Sequence, residues 1–175
     1  MGPGKKSPAL VYEKGFPSFL KSSFKTRSEK ETLRLAEKLG EKLKPGSVVA
    51  LTGEIGSGKT VFIKGLSKEL GVKDPDEVKS PTFVLLHLYK GRVPIHHFDL
   101  YRLEKEKELD SIGFDEFVSS RGAVSLVEWA DRAPGRIPKD SLWVQIQITG
   151  PTSRKISSKR SLSPPKGTVP FKGDR

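Results

Sequence analysis

The residues best suited to chemistry in this chain are a lysine and a threonine at the end of a glycine-rich octapeptide. The sequence Gly-Glu-Ile-Gly-Ser-Gly-Lys-Thr fits the phosphate-binding pattern G-x-x-x-x-G-K-[ST]. In this pattern, backbone N–H groups surround the phosphates of a nucleotide, the lysine reaches the β- and γ-phosphates, and the hydroxyl binds Mg²⁺. The alternative is a glycine-rich surface turn. The residues predicted to contact the nucleotide are Gly53, Glu54, Ile55, Gly56, Ser57, Gly58, Lys59, Thr60 and Val61.

Two acidic residues at the ends of predicted strands could complete this site. Asp99 follows a predicted strand at residues 93–98, and Glu128 follows another at residues 123–127. Phosphoryl transfer needs a second Mg²⁺ contact, which is usually an acid at the carboxyl end of a neighbouring strand. Each acid could instead cap a loop or a helix. The sequence leaves open which of the two binds the metal and which positions water.

Thr82 is a candidate for a residue that senses the nucleotide. It lies in the first loop after the octapeptide's helix, where switch segments commonly contact the γ-phosphate or Mg²⁺. Pro81 fixes the backbone just before it, which suits a positioned hydroxyl. An ordinary turn that leads into a strand would explain the same residues.

Two histidines and a tryptophan close to these acids have simpler interpretations. His96 and His97 are adjacent in a predicted strand, so their side chains point to opposite faces and cannot bind one ion. We interpret them as buried, hydrogen-bonded strand residues. Trp129 is either a core residue or a ring that stacks on a ligand or partner beside Glu128.

The elements around the octapeptide are those that would position a phosphate-binding loop. Residues 47–52 form a short apolar run rich in β-branched residues, which is typical of a buried parallel strand. Residues 60–70 predict a helix with Ile63, Leu66 and Leu70 on one face and Gly71 as its stop. The loop would then lie at a helix N-terminus, where unpaired N–H groups and the helix dipole favour phosphate.

The rest of the chain predicts an α/β fold of the three-layer, P-loop NTPase-like kind, with a mostly parallel central sheet and an antiparallel hairpin. Ser28 would cap a helix that ends before Pro45. Residues 104–110 predict a charged helix. The last predicted strand has inward residues at Leu142, Val144, Ile146 and Ile148. The other predicted strands are residues 23–26 and the hairpin strands 83–89 and 93–98.

Length and charge divide the chain into three parts. The 175 residues suit one domain with tails: an extension at 1–22, the domain at 23–150, and a basic tail at 151–175 predicted to be disordered. The net charge is +11, but residues 31–149 carry 18 basic and 18 acidic side chains, so the whole excess lies in the flanks. One interpretation of this charge is that the tails bind nucleic acid through weak electrostatic contacts. A solvated tail is favoured because no aromatic residues are interleaved with the basic ones.

Several classes of protein are excluded or disfavoured by composition. The chain has no cysteine, which excludes disulfides, thiolate metal sites and a cysteine nucleophile. No apolar stretch approaches the roughly 18–20 residues that span a membrane. The N-terminal residues lack the apolar core of a signal peptide. We therefore expect a cytoplasmic protein.

Four blocks of the sequence together resemble the TsaE (YjeE) family. They are the octapeptide, Ser-Pro-Thr-Phe at 80–83, His-Phe-Asp-Leu-Tyr-Arg at 97–102 and Val-Glu-Trp at 127–129, in the family's order and spacing over residues 24–148. The resemblance implies a small P-loop ATPase needed to make N6-threonylcarbamoyladenosine (t6A) at position 37 of tRNAs that read ANN codons. It also implies ATP and Mg²⁺ as cofactors, and action with the TsaB–TsaD heterodimer.

Carried onto this chain, the resemblance implies a role for each candidate residue. Lys59 would bind phosphate, Thr60 and Glu128 would hold Mg²⁺, and Asp99 would act beside the metal and the attacking water. Thr82 would be the switch residue.

Two further positions follow from the resemblance. Trp129 would lie at the nucleotide or partner face, and the turn at residues 26–28, which ends at Ser28, would approach the adenine. The family pattern ends soon after a final strand pair. In this chain the second strand of that pair could only be a segment such as residues 154–158.

Two other functions fit parts of the sequence. A small-molecule kinase would need an acceptor pocket and usually an arginine-bearing lid, and residues 104–113 are short and acidic for a lid. A non-enzymatic RNA-binding module would use the basic tails. The ATPase hypothesis predicts slow hydrolysis alone and faster hydrolysis with a partner complex, because neither Arg102 nor Arg132 is clearly an internal arginine finger.

Overall fold

The computed structural model of the protein describes residues 23–160 and Pro164. Its strands are β1 (Ser23–Thr26), β2 (Val48–Thr52), β3 (Leu86–Lys90), β4 (Pro94–Asp99), β5 (Val124–Glu128), β6 (Leu142–Ile148) and β7 (Arg154–Arg160). Its α-helices are α1 (Glu29–Gly40), α2 (Lys59–Glu69), α3 (Glu108–Ser111) and α4 (Phe114–Val118), and short 3-10 helices lie at Pro75–Glu77, Ala130–Arg132 and Pro134–Arg136. Among the described residues, no helix has the length and apolar character needed to cross a membrane.

The strands form one sheet whose centre is parallel. Within the described residues the order is β1-β7-β6-β2-β5-β4-β3, and β6, β2, β5 and β4 run parallel. All residues of β2 and β5 are buried, as expected for central strands covered on both faces. The edge pairs β3–β4, β6–β7 and β1–β7 are antiparallel. This arrangement confirms the predicted three-layer α/β fold.

Helices cover both faces of the sheet. On one face, α1 and α2 pack against alternate residues of the central strands, and on the other face α3, α4 and the 3-10 helix Ala130–Arg132 do so. The predicted cap of α1 is present, because the Ser28 hydroxyl accepts the Glu31 amide at 3.2 Å. Gly71 ends α2 with a φ of 90°. β2 therefore lies between two hydrophobic core clusters, one on each face of the sheet, and this fixes the position of the loop that follows it.

The predicted hairpin is present, but its first strand starts later than predicted. Residues 83–85 belong to a turn in which the amides of Val84 and Leu85 both donate to the Pro81 carbonyl, at 3.1 and 2.7 Å. Leu85 has a φ of 65°, and Phe83 is 82% exposed. The β-rich composition of this run was misleading, because the Ser-Pro-Thr turn continues into it.

Two other elements differ from the sequence prediction. The helix predicted at 104–110 begins only at Glu108, whose carboxylate accepts the amides of Glu104 and Lys105 at 3.1 and 2.7 Å and holds those residues in a turn. Ile148, predicted to face inward, is 39% exposed at the end of β6, whereas Ile146 is fully buried. The alternation in β6 continues beyond the part of the sheet that the helices cover.

The predicted domain end at residue 150 is wrong. β7 lies between β6 and β1, with Ile156 buried and paired to Ile146 and Phe24. Composition was a poor guide because β7 has only one buried apolar residue among exposed and polar ones. The extension at 1–22 and most of the tail beyond 160 lie outside the described residues.

Candidate nucleotide-binding site

The loop between β2 and α2 is a tight turn that requires glycine at two positions. Gly53 has a φ of 147°, and a Cβ at this position would collide with the Ile146 carbonyl oxygen. Gly58 has a φ of 99° at the start of α2, a conformation that strains other residues. The loop can therefore lie directly against the end of β6 and turn into the helix. The N-terminus of this 11-residue helix faces the cleft and favours an anion.

Lys59 lies folded over the loop that it follows. Its Nζ donates to the carbonyls of Gly53 and Glu54, at 2.7 and 3.0 Å, and lies 3.9 Å from the centre of the Trp129 ring. Burial is the main effect on the ammonium and lowers the pKa of Lys59 below its ordinary value, while nearby carboxylates, chiefly that of Glu128, oppose this. The structure thus places a buried cation over the loop, at the N-terminus of α2.

A chain of hydrogen bonds joins the start of α2 to β5 and β4. The Thr60 hydroxyl lies 3.1 Å from each carboxylate oxygen of Glu128, and His97 Nε2 lies 2.9 Å from Glu128 Oε1. Glu128 is 2% exposed and His97 is fully buried. Glu128 ends β5 immediately beside Leu51 of β2, which explains how it reaches the loop.

Asp99 lies on the neighbouring strand at the same level as Glu128, because the two are register partners between β4 and β5. Its Oδ2 accepts hydrogen bonds from Ser80 and, at 2.9 Å, from Thr82, and its Oδ1 accepts the Tyr101 amide at 2.8 Å. The predicted switch residue is therefore connected to an acid of the site.

An aromatic pair forms one wall of the cleft. Trp129 has a φ of 55°, uncommon for such a residue, and its ring lies 5.0 Å from that of Tyr101. The Arg132 guanidinium lies 5.3 Å from the Tyr101 ring and 5.6 Å from the Trp129 ring. The half-buried Trp129 ring packs against the core on the side of α3 and α4 and also contacts Lys59, so it lies at the border between core and cleft.

The residues around the loop enclose a cleft of about 580 Å³. Its lining comprises Ile55, Gly56, Gly58, Lys59, Thr60, Val61, Ser80, Thr82, Asp99, Tyr101, Glu128 and Trp129. Gly58 also lines a second, smaller cavity of about 230 Å³, whose other lining residues include Glu29, Thr32 and Arg154. Most predicted site residues thus share one cleft.

Ser28 stands apart from this cleft. Its side chain is used to cap α1, and its neighbour Glu29, rather than Ser28 itself, lines the smaller cavity. Glu29 and Thr32 of α1, which follow the predicted turn, line the smaller cavity together with Gly58.

Three residues of the site were not identified from the sequence. Ser80 binds Asp99, His97 binds Glu128, and Arg154 donates to the loop carbonyls of Ser57 and Gly56 at 2.9 and 3.1 Å. The two-residue periodicity of β4 places His97 on the same side as Asp99, but its partner Glu128 belongs to another strand. Ser80 lies in the loop before β3, so no strand periodicity indicates its contact. Nothing near Arg154 resembles a motif, since its role depends on how β7 pairs.

The donors in the cleft suit Mg²⁺. Thr60 and Glu128 supply a hydroxyl and a carboxylate, and Asp99 lies alongside. Among the described residues no group of three or more His, Cys, Asp or Glu side chains is arranged to hold a metal ion. Mg²⁺ is commonly bound by one or two carboxylates together with water and substrate phosphates, so this sparse oxygen set fits it.

Comparison with known proteins identifies relatives over most of the chain. The family model "Threonylcarbamoyl adenosine biosynthesis protein TsaE" matches residues 26–156. A protein named tRNA threonylcarbamoyladenosine biosynthesis protein TsaE, from Treponema pallidum (strain Nichols), is 36% identical over 132 residues, covering 75% of this chain and 96% of the relative. A protein of the same name from Bacillus subtilis (strain 168) is 37% identical over 135 residues, covering 77% and 82%.

A solved structure agrees with these matches. The crystal structure of YdiB from Bacillus subtilis superposes with a TM-score of 0.64 at 29% sequence identity, over 82% of this chain and 86% of that one. The matched family region begins at the last residue of β1 and ends within β7. The family match therefore covers β2 to β6 completely, β1 and β7 in part, and every residue of the cleft.

Proposed function

This chain belongs to the TsaE family, whose members are named for biosynthesis of threonylcarbamoyladenosine in tRNA, and we propose that it binds and hydrolyses ATP as an accessory subunit of that pathway. The observation that carries the proposal is the contact between Thr60 of the phosphate-binding loop and Glu128, with Asp99 beside them. A hydroxyl and a carboxylate at the N-terminus of a helix form the arrangement that P-loop NTPases use to hold Mg²⁺ and phosphates.

In the proposed mechanism the chain acts through position and charge. The loop amides and Lys59 bind the β- and γ-phosphates, and Lys59 must leave the carbonyls of Gly53 and Glu54 to do so. Thr60 and Glu128 would hold Mg²⁺, which neutralises the charge that develops on the phosphate oxygens. Asp99 orients the attacking water. Thr82, which is bonded to Asp99, would respond to the γ-phosphate.

Activation by a partner is part of the proposal. Among the described residues, no arginine lines the cleft. Arg102 packs on the exposed Phe83 ring at 4.3 Å, and Arg132 packs on Tyr101 and Trp129. An arginine that reaches the transition state raises phosphoryl-transfer rates by about 10³–10⁵. We propose that the TsaB–TsaD heterodimer completes the site and that hydrolysis alone is slow.

The packing of the segment that connects β4 to β5 favours an ATPase over a small-molecule kinase. The segment considered as a kinase lid, residues 104–113, contains α3 with the buried Leu109, and it leads directly into α4, where Phe114 and Val118 are buried in the core. Arg136 also binds Asp110 and Asp115, at 2.8 and 2.9 Å. A segment held in this way is poorly suited to open and close over an acceptor substrate.

The test is an ATP-turnover assay that measures free phosphate, with and without a TsaB–TsaD complex. We expect slow turnover by the wild-type protein alone and stimulation by the complex. Lys59→Ala and Glu128→Gln should each lower the stimulated rate by about 100-fold or more, since each removes a charge that stabilises the transition state. Modification of a tRNA substrate by the complete system should fall in parallel.

Glu41→Gln is the matched control because it changes an exposed carboxylate just after α1. It should leave turnover unchanged. Equal turnover with and without the complex would contradict the accessory role. ATP consumption without release of free phosphate would indicate a kinase instead.

A further inference from the structure

His97 makes a directional contact with the acid proposed to hold Mg²⁺. A carboxylate can only accept, so His97 Nε2 is the donor in the 2.9 Å bond to Glu128 Oε1. The imidazole is fully buried, and its Nδ1 finds no hydrogen-bond partner within the described part of the chain. The polar contact of this ring is therefore directed at Glu128.

The strand geometry explains why His97, and not its neighbour, reaches the site. Side chains two residues apart in a strand share a face, so β4 presents His97 and Asp99 to the same side. His96 points to the opposite face, where its Nδ1 lies 2.9 Å from the Phe117 carbonyl of α4. The two histidines have similar burial but different surroundings.

We propose that His97 is a positioning residue that holds the Glu128 carboxylate in the orientation needed to bind Mg²⁺ together with nucleotide. This inference rests on the proposed function. With Oε1 fixed by His97, the carboxylate cannot rotate freely, and its contact with the Thr60 hydroxyl is maintained. Hydrogen bonds of this kind to a metal-binding carboxylate reduce the conformational freedom that binding would otherwise remove.

A merely structural role would give different results. If His97 only satisfied a buried carboxylate, its loss would lower the free energy of unfolding without a specific effect on Mg²⁺. The positioning role predicts a change in the Mg²⁺ dependence of nucleotide binding. The measurement should therefore be made on binding of ADP, in the absence of turnover.

The experiment compares three substitutions of His97 by titrating Mg²⁺ at a fixed concentration of a fluorescent ADP analogue. Gln places an amide N–H near the position of Nε2, Asn is too short to reach Oε1, and Leu removes the donor. We expect His97→Asn and His97→Leu to raise the half-saturating Mg²⁺ concentration by about 10–100-fold, and His97→Gln to raise it by no more than about threefold. Binding measured with EDTA should be unchanged in all three.

His96→Gln and His96→Leu are the matched controls, because they change a histidine of similar burial in the same strand. They should lower the melting temperature without a change in the half-saturating Mg²⁺ concentration. Wild-type Mg²⁺ dependence in His97→Asn or His97→Leu would overturn the inference. Equal losses in His97→Gln and His97→Asn would also overturn it, since volume and not the N–H would then be what matters.

Failure of the inference can be distinguished from failure of the proposed function. If nucleotide binding by the wild-type protein does not depend on Mg²⁺, the proposed function fails and His97 has nothing to position. If the wild type depends on Mg²⁺ and the His97 variants depend on it equally, only the inference about His97 is wrong. Should His97→Leu not fold, the comparison between Gln and Asn still decides.

Discussion

Lys59 is bound to groups that it must release for phosphate to bind. The residue is 5% exposed, and the carbonyls of Gly53 and Glu54 and the Trp129 ring lie around its ammonium. These contacts offset only part of the lost hydration, which is why burial lowers the pKa of Lys59 despite the carboxylates nearby. A phosphate would supply a full negative charge at this position. The free site is thus less stable than it could be, and binding of nucleotide would relieve this.

We predict that Lys59→Met raises the melting temperature of the free protein near neutral pH. The folded-state pKa of Lys59 lies below its ordinary value of 10.5, so the unfolded chain binds more protons between the two values. Stability of the wild type therefore rises with pH across that window, and the cost of burying the charge is greatest below it. Each 1 kcal/mol of relief would raise the melting temperature by about 2–4 °C.

The measurement is thermal unfolding of both proteins at pH 7, 8.5 and 10. The difference between them should shrink as the pH approaches the ordinary pKa of the lysine, because the folded wild-type protein then holds Lys59 neutral and no longer buries a charge. A difference that is constant with pH, or that grows, would show that the charge of Lys59 is not the cause.

At the scale of elements, β7 supports the loop from outside the phosphate-binding motif. Arg154 points to the same face as the buried Ile156, and its guanidinium donates to Ser57 and Gly56 of the loop. The same side chain donates to the carbonyls of Gly150 and Ser153 in the turn before β7, at 3.2 and 2.9 Å. One arginine therefore joins the β6–β7 turn to the loop.

Arg154→Met should weaken nucleotide binding more than it weakens the fold. It removes two hydrogen bonds to the loop, each of which contributes about 0.5–1.5 kcal/mol. We expect the dissociation constant for ADP to rise about tenfold, equivalent to about 1.4 kcal/mol. Lys155→Met is the control, since the next residue of β7 is exposed on the other face. An equal effect of both substitutions would show that general loss of positive charge, and not support of the loop, is responsible.

Much of the fold followed from local patterns. The apolar runs of β2 and β5, the Ser28 cap and the Gly71 stop were all predictable because each depends on a few adjacent residues. The start of β3 was not, since the turn through Leu85 is determined by hydrogen bonds to Pro81. The segment 154–158, named from the family resemblance as the second strand of the final pair, does lie in β7. The domain boundary drawn from composition at residue 150 left it out, because β7 is held by its pairing with β6 and β1 rather than by its own composition.

The candidate site divides in the same way. The loop and the two strand-terminal acids were predictable because strand ends and glycine spacing are visible in sequence. Glu128 and Asp99 do end adjacent strands. The contacts of His97 and Arg154 depend on which strands are neighbours, and the left-handed turn at Trp129 has no local signal. Roles that arise from long-range pairing therefore needed the structure.

At the scale of the whole molecule, the strand order makes the position of β1 in the sheet depend on β7. β1 lies at the edge of the sheet and pairs with β7 through residues Ser23↔Ser157 to Thr26↔Arg154. β7 in turn is the link to β6 and the parallel core. Thr26, which β7 holds in place, bonds to Thr32 of α1 at 2.9 Å. Loss of β7 would thus affect β1, α1 and the loop together.

We predict different outcomes for chains that end at Arg160 and at Gly150. The longer chain keeps β7 and should unfold in a single cooperative transition. The shorter chain loses the ladder to β1, the buried Ile156 and the Arg154 contacts, and removal of one large buried aliphatic side chain alone costs about 2–5 kcal/mol. Because small domains have only about 5–15 kcal/mol of stability, we expect the shorter chain not to fold or to unfold at a much lower denaturant concentration.

Urea unfolding followed by circular dichroism measures this difference. The unfolding midpoint of Ile156→Ala should lie between those of the two chains. An unfolding midpoint for the shorter chain equal to that of the longer would mean that the domain ends near residue 150 after all.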